Sequence, residues 1–128
     1  MRVLVCGGRD YVNAREAFTL LDRIHAIEPI TCIIQGEARG ADSLAKTWAM
    51  NRGIACDSYP ANWNKFGKRA GHIRNTQMLE DGRPDKVVAF PGGAGTDNMI
   101  RISRAGKVPV LDVKSLININ VTQATKIY

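Results

Sequence analysis

What the 128-residue chain lacks narrows its possible roles first. It has no G-x-x-x-x-G-K-[ST], which excludes a P-loop nucleotide hydrolase. Gly7-Gly8-Arg9 does not extend to G-x-G-x-x-G, and Gln35-Gly36 closes the next apolar segment without an acid to hold a ribose. Both absences argue against a dehydrogenase. No run approaches the ~20 apolar residues of a membrane span, and the apolar start of "MRVLVCGGRD" is too short for a signal peptide. A cytoplasmic protein with no membrane partner is the expectation. There is no C-x-x-C pair: Cys6, Cys32 and Cys56 are odd in number and each sits in or beside an apolar segment. They read as buried, inert thiols. His25 and His72 add no ligand cluster, so neither a metal nor a cofactor is expected. Repeats, low-complexity segments and signs of a second domain are also missing. Acidic residues are scarce beside basic ones, 12 against 18, which gives a net charge of +6. That balance favours anionic partners without separating nucleotides from nucleic acid. The basic residues are scattered, with one concentration at "NKFGKRAGHIR".

What is present alternates in kind. "RVLVC" (2–6) is a short, β-branched apolar run that meets glycine, as a buried strand does. "NAREAFTLLDRIHAI" carries one apolar helical face, with Asn13 as cap and Glu16 completing a capping box. "TCIIQG" reads as strand two, "GADSLAKTWAMNRG" as helix two closed by Gly53, and "IACDSY" as strand three. "PANWNKFGKR" reads as a loop, long for a domain this small. "AGHIRNTQMLED" is helix three, "KVVAF" strand four, "GTDNMIRISRAG" helix four and "VPVLDV" strand five. Alternating strands and helices predict a single α/β, Rossmann-like, doubly wound domain. Its sheet is mostly parallel and five-stranded, ordered 3-2-1-4-5, with helices on both faces. The domain is placed at 1–111, and the tail 112–128 is an edge strand or an arm onto a partner.

In such sheets ligands bind beyond the carboxyl ends of the strands. Three of those ends carry glycine: "CGGRD", "QGEARGAD" and "FPGGAGTD". Glycine lets backbone N–H groups approach an anion, and the helix that follows adds open donors and the positive end of its dipole. Gly7, Gly8, Gly36, Gly40, Gly92, Gly93 and Gly95, with Thr96, are therefore candidate phosphate contacts. Arg9 and Arg39 are candidate phosphate contacts on the loops. Trp63 and Phe66, among Asn62, Asn64, Lys65 and Lys68, are suited either to stack on a base or to form an apolar lid.

"PGGAGT" resembles the PGGxGTxxE signature of the LOG family, the lysine-decarboxylase-like phosphoribohydrolases, and "GHIRNTQM" resembles that family's second motif. "GGRDY", "GEARGAD", "PANW…G..AG..RN..M" and "FPGG.GT" together look closer still to the small YspA-type branch of the SLOG superfamily, frequent in bacteria and phages. The resemblance covers residues 3 to about 111. It implies a Rossmann-like nucleotide site and a homo-oligomer. The superfamily includes nucleotide-cleaving enzymes, sensors of nucleotide-derived signals and a protein that binds single-stranded DNA.

By resemblance, Gly92, Gly93, Gly95 and Thr96 hold a 5′-phosphate, and Arg74 falls where the hydrolases place their catalytic arginine. The activity implied is cleavage of the N-glycosidic bond of a nucleoside 5′-monophosphate. The catalytic glutamate of the signature falls on Met99, which cannot steady a cationic sugar or activate water. Asp97 lies two residues back and points to another side of the helix. Glu37, with no evident structural duty, is the expected substitute acid. Asp42 is placed to contact nucleotide, to cap helix two or to brace Arg39, and Asp10 lies on the strand-one turn. Two ligand classes follow: a nucleotide or nucleotide-derived small molecule, and, as the alternative, single-stranded nucleic acid.

Overall fold

The computed structural model describes residues 1–116. The elements run β1 (Arg2–Cys6), α1 (Ala14–Ile27), β2 (Cys32–Gln35), α2 (Ala41–Arg52), β3 (Ala55–Ser58), α3 (Trp63–Phe66), α4 (Ala70–Gly82), β4 (Lys86–Ala89), α5 (Ala94–Ala105), β5 (Val110–Asp112) and α6 (Val113–Leu116). All five strands are parallel, in the order β3-β2-β1-β4-β5. The predicted α/β Rossmann-like fold and strand order are both present.

The period-2 alternation of β1 divides the core. Val3 and Val5 face α1 and α2, in one cluster with Leu21, Ile33, Trp48 and Val88. Leu4 and Cys6 face the opposite layer, with Ile34, Met78, Val87 and Met99. Each large apolar side chain fully buried this way contributes roughly 1.5–3 kcal/mol. No helix among the described residues is long and apolar enough to cross a membrane.

The helix ends follow from local chemistry. Asn13 Oδ1 accepts from Glu16 N at 3.0 Å. The Glu16 carboxylate does not close the expected capping box; it takes the Tyr11 hydroxyl at 2.6 Å. Gly53 ends α2 in the left-handed region, as expected. The segment expected as a long loop is partly helical. Asn62 caps α3 by accepting from Lys65 N at 3.0 Å, and a 3-10 turn over Gly67–Arg69 leads into α4. The Asn62 cap favours a turn there, and Trp63–Phe66 holds no glycine or proline to oppose it. Helices three and four of the sequence pattern are therefore α4 and α5. β5 ends at Asp112, and Val113 of α6 joins the core. The rest of the expected strand or arm, 117–128, lies outside the described residues.

β1 lies between β2 and β4: the chain runs outward from it through β2 to β3, then crosses back to β4 on its other side. The turns after β1 and β4 meet at this switch point. Gly8 N donates to Pro91 O at 2.9 Å, and the Tyr11 ring stacks on Phe90 with centroids 4.9 Å apart.

Candidate functional site

At the carboxyl rim of the sheet lies a cavity of about 420 Å³. The turn after β1 lines it with Gly7, Gly8 and Arg9, the turn after β2 with Ala38 and Asp42, and the start of α5 with Gly93, Gly95 and Thr96. From α4 and the turn before it come Lys68, His72, Arg74 and Asn75. Gly93 is the N-cap of α5 and no side chain caps that helix, so the amides of its first turn are open towards an anion. A Cβ added at Gly93 or Gly95 would meet no atom within 4 Å.

The turns hold one another. Gly8 O accepts from Tyr11 N and from Ala41 N, both at 3.2 Å. Gly40 adopts φ +81°, and a Cβ there would collide with the carbonyls of Gly8 and Arg9. Gly40 thus lets the β2 turn close onto the β1 turn. Gly92 packs against Thr96 and Gly8 in the same way. Neither Gly40 nor Gly92 lines the cavity; both shape it.

Arg74 crosses the floor of the site. Its Nη1 donates to Gly36 O at 2.6 Å and its Nε to Asn75 Oδ1 at 3.0 Å. Asn75 Nδ2 donates onward to Gly95 O at 3.1 Å and Asn98 Oδ1 at 3.0 Å. One chain of polar contacts therefore links the β2 turn, α4 and the glycine turn before α5. It leaves Nη2 and the second N–H of Nη1 uncommitted on Arg74, which lines the cavity. Burial lowers the pKa of Arg74, Asp42 opposes that shift and Arg9 adds to it.

Asp42 does not cap α2 and does not brace Arg39. Its Oδ2 accepts from Gly36 N and Ala38 N, both at 3.2 Å, and so fixes the β2–α2 turn. The N-cap is Gly40, and Arg39 pairs instead with Asp10 at 3.3 Å on the exposed surface. Burial pushes the Asp42 carboxyl up to about 6, against the pull of its two amide donors and Arg74.

A second cavity, about 490 Å³, adjoins the first; the two share Arg9, Ala38, Trp63 and Arg74. Gly36, Glu37, Arg39, Pro60 and Ala61 complete it. Trp63 is 48% exposed and carries the Arg9 guanidinium over its ring, 5.4 Å from the centroid. Glu37 has a structural duty that the sequence concealed. Its Oε1 accepts from Gln35 Nε2 and Lys46 Nζ, each at 2.9 Å. The nearby Ser58 hydroxyl, Gln35 and Lys46 hold its pKa down at about 2.

Comparison with known proteins then decides the family. Residues 1–66 match the family described as "YspA, cpYpsA-related SLOG family". The chain belongs to that SLOG family. It is also 31% identical over 119 residues to "Gene 61 protein" of Mycobacterium phage D29, an alignment covering 87% of this chain and 94% of the phage protein. The segment matched to the SLOG family contains the turns after β1 and β2, with Glu37, Asp42 and Trp63. Arg74 and the Gly92–Thr96 turn fall beyond it.

Of the residues expected at the site, Gly7, Gly8, Arg9, Asp42, Trp63, Arg74, Gly93, Gly95 and Thr96 line the first cavity. Gly36, Glu37 and Arg39 line the second. Phe66 lines neither and sits beneath the Lys65 ammonium, 5.1 Å away. Met99 is fully buried in the layer formed by Leu4, Cys6 and Met78. Asn75 is the residue the sequence reading passed over. Its signal is an amide on a helix position that turns out to be buried, directly after Arg74. Cys6 and Cys32 are buried as expected, while Cys56 is only half-buried. Among the described residues no group of three or more His, Cys, Asp or Glu is arranged to hold a metal ion.

Proposed function

We propose that the protein binds a nucleotide or nucleotide-derived ligand at this rim. A phosphate lies against the open amides of α5 beside Gly93, Gly95 and Thr96, with Arg74 next to it. One observation carries the reading: the turns after three strands, two of them through their glycines, and Arg74 converge on a single cavity. The positive flank of Arg9, Lys68 and Arg74, and membership of a SLOG family, support it. A rigid guanidinium held in place through two of its five N–H donors offers the others without further ordering.

The test is a thermal-shift screen with nucleoside mono- and diphosphates and ADP-ribose derivatives at millimolar concentration. A rise in Tm that disappears in Arg74→Ala is expected. No stabilisation by any of them would overturn the reading. The nucleic-acid alternative would take its place if single-stranded DNA binds and the binding weakens by orders of magnitude between about 50 and about 200 mM salt.

Hydrolysis of the N-glycosidic bond is a second reading, favoured by Asp42. Water would add across the bond, its oxygen going to the sugar and its proton to the released base. Asp42 lines the cavity, and a carboxyl raised to about 6 both holds and yields a proton near neutrality. Release of free base by the wild type, lost in Asp42→Asn, is the expected chromatographic result; binding without release removes this second reading alone.

A further inference from the structure

We infer that the second cavity reads the base of the bound nucleotide and selects one bearing an exocyclic amino group, with Glu37 as the acceptor. The inference rests on the phosphate reading above and names what that site discriminates.

The two cavities share Arg9, Ala38, Trp63 and Arg74 as their common wall. A ligand anchored by phosphate in the first therefore reaches the second past Arg74 and Trp63. The walls it meets there suit an aromatic ring: an exposed indole, Pro60 and Ala61. Glu37 is the one carboxylate lining this cavity among the described residues. An ionised carboxylate only accepts hydrogen bonds, at about four lone-pair sites. Gln35 and Lys46 both bond Oε1, leaving sites on Oε2 for a further donor. Those same partners keep the group ionised, so it does not become a donor at any ordinary pH.

The charge around it excludes a different occupant. Arg9, Arg39 and Arg74 line the same cavity, and Lys46 already pairs with Glu37. A cationic ligand or a metal ion would be repelled. A neutral amino group on an anionic nucleotide meets both demands. Adenine, guanine and cytosine carry such a group. Uracil and hypoxanthine place a carbonyl where cytosine and adenine carry theirs, and hypoxanthine has hydrogen where guanine carries its own. A carbonyl facing Glu37 would set acceptor against acceptor.

Calorimetric titration of the full chain with matched ligands tests this. Guanosine and adenosine 5′-monophosphates are each compared with inosine 5′-monophosphate, cytidine with uridine 5′-monophosphate, and ribose 5-phosphate reports the phosphate site alone. At least one amino-bearing nucleotide should bind about 10-fold tighter than its partner, the scale of one hydrogen bond to a charged group. That gap should shrink in Glu37→Gln and vanish in Glu37→Met, while ribose 5-phosphate binds the variants and the wild type alike. Ribose 5-phosphate binding with no gap in any pair overturns this inference and leaves the phosphate reading standing. A gap that persists in Glu37→Met overturns the assignment to Glu37. If neither ribose 5-phosphate nor any nucleotide binds, the phosphate reading fails and this one falls with it. The nucleotide pairs are measured on the wild type, so the central comparison does not depend on a variant folding.

Discussion

Asp42 and Glu37 lie five residues apart, on one turn and at neighbouring cavities, yet their environments shift them in opposite directions. Asp42 is 6% exposed and is met by two backbone amides. Desolvation outweighs those donors, and its carboxyl stands at about 6. The Glu37 side chain is 31% exposed and is met by an ammonium, an amide and a hydroxyl. Little desolvation opposes them, and its carboxyl stands at about 2. Each accepts two hydrogen bonds at one oxygen, so their number does not separate the two. What separates them is how much water each gave up for its partners. One acid is thereby able to exchange a proton near neutrality, and the other is a fixed negative charge.

Adding a third acid with neither kind of partner breaks the comparison most severely. Met99→Glu restores the signature glutamate in sequence but places it in the apolar layer of Leu4, Cys6 and Met78. A loss above about 3 kcal/mol is expected in urea unfolding, the scale of an uncompensated buried charge. Recovery of wild-type stability would show that the side chain reaches the cavity after all.

Truncating each native acid gives the next effect. Asp42→Ala leaves the Gly36 and Ala38 amides without their acceptor and should cost about 3 kcal/mol. Glu37→Ala removes a partly solvated pair and should cost less than about 1 kcal/mol. Equal losses would mean that burial is not what distinguishes them.

The gentlest probe is pH. Asp42 has a native pKa above its unfolded value, so the native state holds the extra proton between about pH 4 and about pH 6. Its contribution to stability falls as pH rises through that window. Glu37 has a native pKa below its unfolded value, so its contribution is present above about pH 4.5 and is lost as pH falls towards about 2. Subtracting the melting profile of Asp42→Asn from that of the wild type should give a falling curve, and Glu37→Gln a rising one. Two curves of the same sign would contradict the assignment of environments.

The strand order was legible because apolar runs of four or five residues alternate with helical periodicity, and right-handed crossovers leave few ways to assemble them. The glycine turns were legible for the same kind of reason, since one residue type carries the backbone requirement. The two acids were harder to read. The duty of Glu37 depends on Lys46, one helix away, and on Ser58, on the neighbouring strand; neither stands close in sequence. Asp42 stands where a helix cap would, but it turns back to the amides before it because Gly40 takes the cap position. The turn of α3 was concealed because a four-residue helix has no period to detect.

The contact between Gly36 and Arg74 reaches beyond this chain. A Cβ at position 36 would fall on the Arg74 guanidinium, and the two residues are 38 positions apart. A relative that carries a side chain at the first position must have moved or lost the arginine at the second. Reading those two columns together sorts relatives that keep this floor under the ligand from those that have rebuilt it, before any of them is purified.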